Sequence, residues 1–166
     1  MKAGKLRGII GNALILLFAV CTLGFMALQM FSLVGKNIIT GETVSQSLGS
    51  VFDFMGKISD ATDAKLQASL AFFIIVAILA CALMITSIIG LVAVFTNNKK
   101  LNMTLVNRIL TGVMAGIALI AMILAVACTE TTEVISTAVN AGAIMPLVLS
   151  LFTVAGAITA PSKKKA

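Results

Sequence analysis

Four stretches of this chain, residues 9–34, 70–95, 105–128 and 138–160, contain no carboxylate and no lysine. Each is long enough to cross a hydrocarbon core of about 30 Å, which takes roughly 20 apolar residues in a helix. Backbone in lipid has no water to bond, so each stretch must satisfy its own N–H and C=O groups and is expected to be helical. The expected fold is therefore all-α, an integral membrane protein whose four transmembrane helices form an antiparallel bundle. It is read as one domain over 1–166. Composition agrees, because 60% of the residues are apolar and only 11% are charged, against about a quarter charged in soluble domains.

The chain has no His, no Trp and no Tyr. Without imidazole the usual hydrolase triads and zinc-histidine sites are excluded. Cys21, Cys81 and Cys128 are scattered and form no CxxC pair, which argues against a thiol oxidoreductase. No ionisable residue lies mid-span, where proton-coupled transporters hold theirs. The expectation is a non-enzymatic protein with no catalytic residue, no cofactor, no metal and no nucleic-acid partner.

Charge sets the expected orientation. Lys2, Lys5, Arg7, Lys99, Lys100, Arg108, Lys163, Lys164 and Lys165 flank the spans on one side. Lys36, Lys57 and Lys65 share the other with Glu42, Asp53, Asp60, Asp63, Glu130 and Glu133, a split of +9 against −3 within a net +6. Short cytoplasmic segments carry the excess of Lys and Arg, so a multi-pass protein with both termini cytoplasmic is expected. Lys99, Lys100, Lys163, Lys164 and Lys165 are candidates to touch anionic lipid headgroups, at about 1 kcal/mol for each that reaches the surface. The basic start runs into an apolar stretch longer than a signal peptide's, so the first span is read as an uncleaved helix.

The long loop between the first two spans holds the one amphipathic pattern outside the membrane. Thr43-Val44-Ser45-Gln46 has the form of a capping box. After it Val44, Leu48, Val51, Met55 and Ile58 recur at steps of three and four, which predicts an extracytoplasmic amphipathic helix over 44–59. That stripe must be covered by the chain's own bundle, by the membrane interface, or by the same loop of a neighbouring subunit. Within the spans, small residues four apart mark close helix approach. Gly112 and Gly116 form a GxxxG motif on the third span, and Ala82, Thr86 and Gly90 repeat the spacing on the second. Val44, Leu48, Val51, Met55, Ile58, Gly112 and Gly116 are thus the candidate contact residues, serving either helix packing or oligomerisation. Thr22, Gln29 and Ser32 share a face if the first span is one continuous helix, and are the candidates to line a lumen.

The plan of cytoplasmic termini, a long first outer loop and a short second one resembles that of claudin-like tetraspan proteins and, more loosely, of connexin-type large-pore channels. The resemblance is one of topology. The first loop has no Trp and no paired Cys, both of which those families carry there, so no functional residue transfers. With an enzyme set aside as a third function for want of His, metal ligands and buried acids, two functions compete. One is a polytopic membrane protein that self-associates, or assembles with a partner membrane protein, through its outer amphipathic helix and small-residue faces. The other is an oligomeric pore or channel with the first helix around the lumen.

Overall fold

The computed structural model describes residues 3–36, 43–47, 49–55, 64–98, 103–129 and 135–160. Its elements run α1 (Ala3–Met26), β1 (Phe31–Lys36), β2 (Thr43–Ser47), α2 (Val51–Met55), α3 (Ala64–Phe95), α4 (Thr104–Ala127), β3 (Ile135–Val139) and α5 (Ala141–Thr159). The helices α1, α3, α4 and α5 are 24, 32, 24 and 19 residues long and are apolar enough to cross a membrane. At 1.5 Å per residue α1 and α4 span about 36 Å, α3 about 48 Å and α5 about 28 Å. The long α3 therefore exceeds the hydrocarbon core by several turns.

The four helices close a ring in which α1 packs on α3 and α5, and α4 packs on the same two. Chain order makes every neighbouring pair antiparallel. The start of α1, the end of α3, the start of α4 and the end of α5 lie together at one end, with Lys5, Arg7 and Arg108. We call this the basic end. The ring is packed with small residues inside and large ones outside. Ala19, Ala80, Ala118, Ala121, Ala125 and Ala143 are fully buried, with Ile15, Phe73, Leu83 and Met114 filling the wider layers. Leu17, Ile78, Ile85, Leu105, Ile109, Ile123, Leu151 and Ile158 point outward. Close backbone approach, rather than burial of large side chains, is what drives helices together in lipid.

At the opposite end the structure departs from an all-helical reading. β1 is the central strand of a three-stranded antiparallel sheet of order β2-β1-β3. Ser32 pairs with Ser47 on one side and with Ala138 on the other. The first span thus ends as a helix at Met26 instead of running to residue 34, and α5 starts at Ala141 after a strand instead of at residue 138. The apolar run through Met30 to Val34 suits a strand paired on both edges as well as it suits a helix, and pairing decides it. Lys5 and Arg7 fall inside α1, since both are good helix formers whose stems can lie along apolar surface.

Over the described part of 44–59 the expected amphipathic helix gives way to two different elements. Thr43–Ser47 is strand β2, with Val44 opposite Gly35. Gly49 takes φ 102°, a backbone conformation that stops any helix passing through it. Among the described residues of this stretch Val51–Met55 is helical, and its capping box is Ser50 with Asp53: the Ser50 backbone N–H donates to Asp53 Oδ2 at 2.8 Å, and the Asp53 N–H donates to Ser50 Oγ at 3.2 Å. Of the expected stripe, Val51 is buried, the side chains of Val44 and Met55 are not described, and Leu48 and Ile58 lie outside the described residues.

Candidate functional site

Near the basic end a polar seam joins all four long helices. Asn12 of α1 anchors it: its Nδ2 donates to the Gly8 carbonyl one turn earlier at 2.9 Å, which turns Oδ1 toward the bundle axis, where it accepts from Asn107 Nδ2 of α4 at 3.0 Å. On α3 a Cβ at Gly90 would fall 2.5 Å from Asn12 Oδ1, so only glycine lets the amide lie against that helix. Next to Asn107, Arg108 reaches the end of α5. Its Nε donates to the Ala157 carbonyl at 3.1 Å and its Nη2 to the Ala160 carbonyl at 2.8 Å. The last carbonyls of a helix lack intrahelical donors and form the negative end of its dipole, so Arg108 caps α5 from the neighbouring helix. The chemistry on offer is hydrogen bonding and one capped cation, which suits a structural lock.

Sequence reasoning counted Arg108 for orientation only and passed over Asn107. The available signal was an amide in each of two spans, Asn12 and Asn107, both a few residues from the end that carries the cations.

At the sheet end, backbone bonds fasten the sheet to the bundle. The Asn140 N–H donates to the Met30 carbonyl at 2.8 Å, and the Gly142 N–H donates to the Gln29 carbonyl at 3.0 Å. A Cβ at Gly142 would run into the Leu28 and Gln29 carbonyls. The expected lumen residues are not brought together here. Thr22 is fully buried in the bundle and donates to the Phe18 carbonyl of its own helix at 2.8 Å. Gln29 lies beyond the end of α1, bridged to Ser50, and Ser32 sits in β1, its Oγ 3.4 Å from Asn140 Oδ1. They share no helical face, because the helix ends before the second of them.

The helix glycines differ in what surrounds them. At Gly11 an added Cβ would meet Ala160 Cβ and the Gly156 carbonyl at 2.9 Å, and at Gly156 it would meet Leu14 and Ile15 at 3.1 and 3.2 Å, so α1 and α5 touch through paired glycines. Gly112 and Gly116 have nothing within 4 Å of such a Cβ. Both are exposed, on the outer face of α4 with Ile109, Val113, Ile120 and Ile123. The GxxxG motif, read from the sequence as serving either packing or oligomerisation, is not used in packing within the chain. Of the expected lipid contacts, Lys99, Lys100, Lys163, Lys164 and Lys165 lie outside the described residues.

Among the described residues no group of acidic, Cys or His side chains has the arrangement of a metal site. The chain matches no protein-family model, no curated protein and no solved structure.

Proposed function

We propose that the chain is a non-enzymatic polytopic membrane protein that self-associates in the bilayer through the GxxxG face of α4. The observation that carries this reading is the open pair on α4: Gly11, Gly90, Gly142 and Gly156 are consumed by packing within the chain, Gly4 and Gly24 stand open singly, and Gly112 and Gly116 stand open one turn apart on a single helix face. A groove of two glycines rimmed by Ile109, Val113 and Ile120 lets a second backbone approach closely, and in lipid such contacts supply the association energy. In the same reading the basic end faces the cytoplasm, its lysines lie on anionic headgroups, and the sheet stands on the other side. Of the outer stripe, Val51 is already covered within the chain and is not available to a partner. A pore around α1 draws no support from Thr22, which is enclosed by its own bundle.

Single cysteines placed along α4 in a background freed of Cys21, Cys81 and Cys128 test the surface. Oxidation in membranes is expected to cross-link chains at positions 109, 113 and 116 and not at the buried positions 114 and 118. Cross-linking with no helical period would remove α4 as the interface.

A further inference from the structure

Arg108 is a cation held in place with no acid beside it. It lies half-buried in the second turn of α4, and one edge of its guanidinium is spent on α5: Nε donates to the Ala157 carbonyl at 3.1 Å and Nη2 to the Ala160 carbonyl at 2.8 Å, with the Ile158 carbonyl 3.5 Å from Nη2. Among the described residues Nη1 has no hydrogen-bond partner. The end of α5 offsets only part of the charge, because a helix terminus carries about half an elementary charge. No acidic side chain supplies the rest. All six acids fall in the connections between α1 and α3 or between α4 and β3, which join the helices at the sheet end. From Arg108, α4 continues to Ala127, about 28 Å of helix, before that end is reached.

The length of α5 sets the depth of this cation. Its 19 residues rise about 28 Å, close to the ~30 Å of hydrocarbon in a bilayer. Its last carbonyls, and the guanidinium bonded to them, therefore stand where hydrocarbon gives way to headgroups, at the level of the phospholipid phosphates. We propose that Arg108 binds the phosphate of an anionic phospholipid in the leaflet at the basic end, through the Nη1 side that α5 leaves unused. A planar guanidinium fork matches the oxygens of a phosphate. A net-negative lipid is favoured over a zwitterionic one, because Lys5 and Arg7 of α1 add positive charge at the same end and a choline or ethanolamine group would add another. The site depends on the chain lying in a bilayer, as in the proposed function, and not on its self-association. A bound phosphate completes the charge balance of the contact that holds α4 to the end of α5.

The chain has two arginines, Arg7 and Arg108, so an Arg7→Lys protein grown on carbon-13 arginine carries the label at Arg108 alone. The measurement is the dephasing of its Cζ signal by phosphorus-31, by rotational-echo double resonance in phosphatidylglycerol bilayers prepared without inorganic phosphate. Strong dephasing is expected at Arg108. Much weaker dephasing is expected at Arg7 in the Arg108→Lys protein, because Arg7 is exposed on α1. No dephasing at Arg108 would overturn the proposal, and so would equal dephasing at Arg7, the result of unspecific contact between basic residues and headgroups. Dephasing that requires added inorganic phosphate would assign the site to a free ion and overturn the lipid. Particle mass does not enter this readout, so a monomeric chain, which would end the case for self-association, leaves the test intact.

Discussion

At Gly142 an added methyl group would meet two backbone carbonyls of the α1–β1 connection, and backbone cannot swing aside as a side chain can. Gly142→Ala is therefore expected to destabilise the fold by about 1–3 kcal/mol, the usual cost of overpacking. Gly112→Ala meets open space and is expected to stay within about 0.5 kcal/mol of the parent. Thermal unfolding of monomeric protein in detergent compares the two, and equal melting of both variants would refute the packing role of Gly142. Arg108 offers a second residue-scale test. Arg108→Leu removes the donors to the Ala157 and Ala160 carbonyls and is expected to raise hydrogen exchange in the last turn of α5, whereas Arg108→Lys retains part of the protection through its charge.

Among the elements, the sheet is the part that least resembles what the sequence leads one to expect. The apolar stretches 70–95 and 105–128 fall on α3 (Ala64–Phe95) and α4 (Thr104–Ala127), with α3 starting six residues before its stretch. Apolar length alone determines such elements. β1 and β3 were not legible, because each is a short apolar run adjoining a span and becomes a strand only through partners distant in sequence, as Ser32 does with Ser47 and Ala138. The three-and-four spacing of Val44, Val51 and Met55 imitated a helix that Gly49 interrupts. The polar seam was half legible, with Asn12 visible as an amide near the basic start of its span and its partner visible only once the helices pack. Ser32→Cys with Ser47→Cys, in a chain lacking the native cysteines, is expected to form an intramolecular disulfide under oxidation. A helix over 44–59 predicts no such bond, so failure to form it in well-folded protein would restore the helical reading of this loop.

For the whole molecule, orientation and assembly are the two open quantities. With the basic end in the cytoplasm, Lys99→Cys and Ser162→Cys are expected to be shielded from an impermeant maleimide in intact cells, while Lys57→Cys is labelled. Labelling at 162 would invert the topology. Self-association asks for a surface that the folded chain does not use itself, and the open GxxxG face of α4 is such a surface. Its removal is expected to separate assembly from folding. The most direct measurement is the mass of the particle released from lipid nanodiscs, for the parent and for Gly112→Ile with Gly116→Ile. Self-association through α4 predicts a parent mass that is a multiple of the 17.2 kDa chain and a double variant that is monomeric and keeps its helical content. A monomeric parent, or a double variant that keeps the parent's mass, would contradict it.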